Sequence, residues 1–252
     1  MSRSQVAHLV LGVLVLVCLT GLVLRIGRVP AGRGPVVAVV RAAVQLSVVG
    51  VLLRGAITRP AAVGLVLLVM LTVAIRTAAR RMPDTDGAWP AVAAACVAGV
   101  GTSLLVVFGL GVLPLDSRYV VAAGGIVVGA SMTGTTLAGR RLHDGLIARR
   151  EEVEAWLALG ATMRYAVADI AREAAAEALV PALDQTRTTG LVTLPGAFIG
   201  ALLGGASPVQ AARFQLVVLT AVLTTQAIAA VVLVRLLGAP AVLPERASNS
   251  AR

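Results

Sequence analysis

The sequence predicts an all-α, polytopic membrane protein with about seven transmembrane helices and a cytoplasmic amphipathic helix-turn-helix. Three observations carry that prediction. The chain is 58% hydrophobic and only 13% charged, with a mean hydropathy of +0.92, which no soluble domain can bury. Its apolar residues fall into seven stretches, at 7–24, 35–53, 60–78, 89–113, 119–138, 188–203 and 208–237. A transmembrane helix needs roughly 17–25 such residues; the sixth stretch is short for that and the last is long. The runs are continuous rather than alternating, which selects helices over a β-barrel.

The first stretch follows Arg3 and ends before Arg25 and Arg28. No clear Ala-x-Ala-like site precedes those arginines, so it reads as a retained helix and not a signal peptide. Orientation follows from arginine placement. Alternate connections carry Arg25, Arg28 and Arg33; Arg76, Arg80 and Arg81; Arg140 through Arg187; and Arg235, Arg246 and Arg252. The other set holds only Arg3, Arg54 with Arg59, Arg118 and Arg213. The rich set is expected to be cytoplasmic, in the inner (plasma) membrane, with the N-terminus outside and the C-terminus inside. The net charge of +10 reflects this bias rather than nucleic-acid binding, since aromatics for base stacking are only 3%. Cys18 and Cys96 lie within predicted spans and read as small buried residues. The chain divides into helices 1–5 at 1–138, cytoplasmic helices at 139–187, helices 6 and 7 at 188–238, and a cytoplasmic tail at 239–252.

The cytoplasmic element has its own pattern. Val153, Trp156, Leu157 and Gly160 keep helical spacing, as do Val167, Ile170, Ala171, Ala174 and Ala178. Gly160-Ala161-Thr162 between them reads as a helix stop and a new N-cap. Asp169, Glu173 and Glu177 share one stripe, which is either a solvated face or a docking face for a basic partner or for the chain's own arginines. Asp184 and Arg187, three apart, can pair. They either close the cytoplasmic helix or couple it to the span that follows.

Within the membrane, Arg41 is costly and must snorkel or share a polar vestibule with Gln45, one turn on. Ser131, Thr133, Thr135 and Thr136 make the fifth span hydroxyl-rich, with the Met132 thioether among them. Such hydroxyls bond their own backbone or line a path. Pro195-Gly196 interrupts the sixth span, which places a gate there. Gly196, Gly200 and Gly204 repeat every four residues, as do Gly125 and Gly129. That spacing predicts close helix packing, within the chain or at a subunit interface.

Two motifs carry a family resemblance. Glu154-Ala155-Trp156-Leu157-Ala158-Leu159-Gly160 resembles the E-A-A-x-x-x-G loop of ABC-transporter permeases, with Trp156 in place of the second Ala. The usual Leu-Pro after Ile170 is absent, and Val180-Pro181 comes later instead. The run from Asp184-Gln185-Thr186-Arg187 through Leu194-Pro195-Gly196 to Gln210-Ala211-Ala212-Arg213-Phe214-Gln215 resembles the iron-export ABC permease family, the FetB-like membrane subunits. That family also includes plant relatives linked to aluminium tolerance. Arg41 with Gln45, and Gly129 to Met132, fit the same pattern, although Ala130 and Thr133 stand where many members have Asn.

The resemblance implies a permease, not an enzyme, working as a homodimer with a separate ATPase subunit and exporting iron or another metal. Glu154, Ala155 and Gly160 would then sit on the ATPase. The chain has no Lys and so cannot form a P-loop; ATP is expected on the partner, with no cofactor in this chain. Any metal ligands stay undefined. Two rivals differ in class. One is an ABC permease for a non-metal substrate such as a nucleotide sugar, favoured by the lack of carboxylates in the predicted spans, where His8 is the one His. The other is an ATPase-independent secondary transporter, which calls for an ionisable group at mid-membrane. Arg41 alone fits that description among the predicted spans.

Overall fold

A computed structural model describes residues 3–30, 32–56, 59–82 and 88–244. Arg246, Arg252 and the end of the expected tail lie outside them. The chain forms two compact units, residues 1–59 and 60–252.

The first unit is a helix pair, α1 (Arg3–Ile26) and α2 (Gly34–Ala56). The helix α1 stops where Arg28 turns to φ 52°, and Val29 N–H reaches back to the Leu24 carbonyl at 2.9 Å. Both helices are apolar on all sides, and their side chains are almost entirely exposed within the unit. This is the pattern of a membrane segment rather than a soluble amphipathic helix.

The second unit holds α3 (Pro60–Arg81), α4 (Ala88–Gly109), α5 (Ser117–Ala148), α6 (Arg150–Ala158), α7 (Met163–Ala166), α8 (Ala168–Thr188), α9 (Gly196–Leu203) and α10 (Pro208–Leu237). Helix α10 packs on α4, α5, α8 and α9, while α5 packs on α3, α4, α8 and α10. The elements begin where the sequence supplies caps. Asp116 accepts from Arg118 N–H at the start of α5. Ser207 and Gln210 form a reciprocal capping box ahead of Pro208.

Small residues let these helices approach. The core joins Ala95, Cys96, Ala138, Ala229, Ala230 and Leu233. A Cβ placed on Gly99 of α4 would lie 2.7 Å from the Thr225 carbonyl oxygen of α10. At the same crossing Ser103 Oγ and Thr225 Oγ1 are 2.7 Å apart and buried. Gly134 meets Gln226, and Gly145 meets Ile170.

Six helices among the described residues are long and apolar enough to cross a membrane: α1, α2, α3, α4, α5 and α10. The all-α, multi-pass class therefore holds. The stretch 188–203 takes a different form from the single interrupted span expected. Helix α8 continues to Thr188, a turn follows, and only the eight residues of α9 are helical again. Gly190 at φ +88° ends α8, and Pro195 caps α9. Helix α5 runs unbroken to Ala148, across the boundary expected at 138. Nothing there stops it, because Gly139 sits mid-helix against Met82 and Leu233.

Helix α8 lies alongside α10 and runs against it. Ala171, near its start, faces Gly238 at the end of α10. Thr186, near its finish, shares a cavity with Gln215 and Leu219. Alanines 174, 175, 178 and 182 form its buried face, and Pro181 lies within it.

Candidate functional site

The α6–α7 turn is built by backbone chemistry. Leu159 closes α6, Gly160 takes φ +90°, and Ala161 N–H bonds the Trp156 carbonyl at 3.0 Å. Thr162 then caps α7 by accepting from Tyr165 N–H. The tip exposes a hydrophobic surface. Leu159 is 80% exposed, and the rings of Trp156 and Tyr165 meet edge to face at 5.5 Å. Beneath it Val153, Val167 and Ile170 are buried, the faces that the helical spacing predicts.

Arginines hold this turn onto α5 and α8. Arg149 grips both carboxylate oxygens of Glu152 at 2.7 and 2.8 Å and reaches Glu173 at 3.0 Å. Arg141 meets Glu177 at 3.1 Å, and Arg172 meets Asp169 at 2.7 Å. The acidic stripe is therefore matched by the chain's own arginines. Glu154 pairs with Arg150 at 2.7 Å, while Ala155 and Gly160 are exposed.

The bidentate contact from Arg149 holds the Glu152 carboxyl below the usual carboxylate range. A lowered folded-state pKa means that the clamp is complete above the ordinary Glu value. It is lost only as pH falls through the lower, folded value. Hydrogen-exchange protection of 150–166, relative to the intrinsic rate at each pH, is expected to hold at the ordinary Glu pKa and to fall below it. In Arg149→Gln that protection should be low across the whole range.

Asp184 and Arg187 are 3.7 Å apart on the exposed face of α8. Nineteen residues separate Ala168 from Arg187, so about 28 Å of helix separates the turn from this pair. The unwound segment begins just beyond. Gly190 N–H bonds Thr193 O at 2.8 Å, and the Thr188 carbonyl accepts Val192 N–H at 2.9 Å. Beside it is a cavity of about 280 Å³ lined by Thr186, Thr189, Pro195, Phe198, Gln215 and Leu219. Gln215 is only 6% exposed, and its Oε1 has no hydrogen-bond partner among the described residues. A buried unsatisfied acceptor costs on the order of 1–3 kcal/mol, so this wall is primed for a donor. Gln215 stands in the motif run of the sequence, but nothing in the sequence assigns it to a cavity.

The other expected site residues are placed as follows. Arg41 and Gln45 lie one turn apart on α2, exposed within their unit. Ser131 and Thr135 are fully buried. Their hydroxyls donate to the Val128 and Ser131 carbonyls, both at 2.8 Å. Thr133 and Thr136 donate to Gly129 and Met132 in the same way. These protons are committed to the helix, and Met132 packs partly against both core clusters.

Within the chain, the expected glycines differ in what they meet. Gly125 does approach Met70, but nothing lies within 4 Å of a Cβ built on Gly129, Gly196 or Gly200, and Gly204 meets only the carbonyls of Gly200 and Ala201. Spacing by four marks a common face but not what covers it. The glycines that admit a neighbouring helix are Gly99, Gly124, Gly134, Gly139 and Gly145.

Helices long and apolar enough to cross a membrane, joined by an exposed, braced turn, define a class, that of polytopic helical membrane proteins. The chain matches the model of the uncharacterised protein family UPF0014 over residues 7–240, and it belongs to that family. It is 35% identical over 203 residues to the UPF0014 membrane protein YjkA of Bacillus subtilis, covering 79% of this chain and 80% of the relative. It is 38% identical over 184 residues to the UPF0014 membrane protein STAR2 of Oryza sativa subsp. japonica, with 72% of this chain and 65% of the relative aligned. A third relative is the probable iron export permease protein FetB of Escherichia coli, 29% identical over 195 residues, 76% of this chain and 75% of the relative. No solved structure matches.

Proposed function

We propose that this chain is the membrane subunit of an ATP-driven exporter, working as a homodimer with separate ATPase subunits. The observation that carries this is the α6–Gly160–α7 turn. Its exposed Leu159, Trp156 and Tyr165 offer a knob for a protein groove, and its base is braced by the Arg149 clamp. Helix α8 then runs from that base to the unwound segment and its cavity. A push on the turn is delivered along one helix to Asp184 and Arg187, and so to the gate at Pro195-Gly196. Glu154 and Ala155 lie on the turn's flank. Arg41, Gln45, Met132 and Thr133 remain the candidates for the path in which substrate moves.

Iron or another metal is the proposed cargo, supported by the relative named as a probable iron export permease. One observation favours the second reading, a non-metal substrate. No group of three or more His, Cys, Asp or Glu able to hold a metal occurs among the described residues. The test is ATP hydrolysis by the chain purified with its ATPase, measured against iron, other divalent metals and nucleotide sugars. Stimulation by iron supports metal export. Stimulation by a sugar nucleotide alone replaces the cargo, and no association with an ATPase removes the class.

Orientation gives an independent prediction. A reporter active only in the cytoplasm is expected to work when fused within 145–165 or after Arg252. Activity instead at 110–118 would contradict the N-outside arrangement in the plasma membrane.

A further inference from the structure

Helix α8 is the most polar of the long helices, yet it packs on α5 and α10, both apolar enough to cross a membrane. The depth of its charges can be read from its neighbours. Arg213 and Arg235 bracket residues 214–234 of α10, about 30 Å of helix and one hydrocarbon core. At the Arg235 end, Arg140 Nε lies 3.5 Å from the Arg81 carbonyl, and the adjacent Arg141 pairs with Glu177 at 3.1 Å. Those arginines form a rim, and Glu177 stands at it. From Glu177 the helix runs toward Gln215 and Leu219, near the far end of α10, where Thr186 shares their cavity. Asp184 and Arg187 are seven and ten residues past Glu177, so about 10–15 Å of helix separates them from it. Thr186 between them lines the cavity with Gln215, within one turn of Arg213, so both charges lie inside the hydrocarbon layer, in its far half.

These two charges are not turned inward. The alanines of α8 face α5 and α10, while the Arg187 and Asp184 side chains are 73% and 62% exposed. Their mutual contact is long, at 3.7 Å. Charged side chains at this depth do not face lipid; they face protein or a water-filled cavity.

We propose that α8, continued by the unwound segment and α9, is itself a membrane crossing, and that its charged face around Asp184 and Arg187 is where two copies of this chain meet along the transport path. This rests on the permease reading above. The occupant is argued from charge. The face carries one acid and one base a turn apart, so it is self-complementary. In a two-fold dimer with its axis along the membrane normal, the two α8 helices run parallel. Asp184 then comes within reach of the partner's Arg187, and each weak internal pair gains a second partner. The proposal also keeps the crossing count at seven, so the N-outside, C-inside arrangement survives although 188–203 does not span by itself. It adds Asp184 and Arg187 to Arg41 as ionisable groups within the membrane.

The test uses the full chain in native membranes, with Cys18→Ser and Cys96→Ala as background. Single cysteines are introduced by Ala176→Cys and Val180→Cys, which share the exposed stripe of Asp184 and Arg187, and by Leu68→Cys on α3 as an off-face control. A short bis-maleimide is expected to yield covalent dimers at the first two positions and not at the third. Both face positions are also expected to react with a charged, water-soluble thiol reagent. Labelling without dimers would mean that water alone covers the face, and neither labelling nor dimers would mean that lipid does. Equal dimer yield at Leu68→Cys would mean random collision. Each of these overturns the proposal.

A second set of variants guards against misfolding. On the Val180→Cys background, Asp184→Arg alone is expected to lower the dimer yield severalfold, and adding Arg187→Asp should restore it. No rescue, in protein that inserts normally, counts against the cross-copy pair. The cross-link needs neither substrate nor ATPase. A negative result with normal ATPase stimulation therefore removes the face and leaves the transporter reading standing.

Discussion

Replacing Gly160 by Val is expected to leave the protein inserted and assembled but to break its control of the ATPase. The residue holds φ +90°, where a β-branched side chain costs about 1–2 kcal/mol. A Cβ there meets nothing within 4 Å, so the cost is conformational and local. The turn relieves it by moving Leu159, Trp156 and Tyr165 off their positions. The bundle below, built on Val153, Val167 and Ile170, has no reason to open. Thermal stability should fall little, while ATP hydrolysis stimulated by the membrane subunit falls tenfold or more. Gly160→Ala is expected to show the same defect at smaller size. Normal stimulation in the Val variant would mean that the turn is not the point of contact.

The second large effect is a contrast between two glycines. Gly99→Leu is expected to disrupt the bundle. Its Cβ would meet the Thr225 carbonyl at 2.7 Å, backbone that cannot step aside, at the crossing where Ser103 and Thr225 are buried together. Overpacking of this kind costs about 1–3 kcal/mol or more and removes a polar contact as well. Gly200→Leu opens onto free space within the chain, so the monomer fold should tolerate it. Its effect, if any, is on assembly of two copies. Size-exclusion profiles and melting curves in detergent separate the outcomes. Gly99→Leu should aggregate or melt early, while Gly200→Leu should melt normally. The reverse order would contradict the packing described here.

That contrast shows where sequence stops being sufficient. The i, i+4 glycines are visible as a pattern, but packing is decided by partners more than a hundred residues away, as Ser103 and Thr225 illustrate. Single glycines such as Gly99 carry no signature. The turn, by comparison, was legible. Gly160 and Thr162 are local chemistry, and the spacing of Val153, Ile170, Ala174 and Ala178 marks the buried faces correctly. The break before Pro195 was legible too, though Gly190 and the intervening turn make it longer than one proline would. What hydropathy missed was the course of α8. Its charges exclude it from any apolar window, while its alanines, neutral in such a count, are what pack it against α5 and α10.

The central claim is that this chain moves its cargo only when an ATPase drives the turn. The most direct measurement is ATP-dependent metal accumulation in sealed vesicles holding the chain together with its ATPase. The expected result is iron accumulation that needs ATP and both subunits and is lost in Gly160→Val although the complex still co-purifies. Accumulation of the same size without ATP, or with the ATPase omitted, would contradict the account.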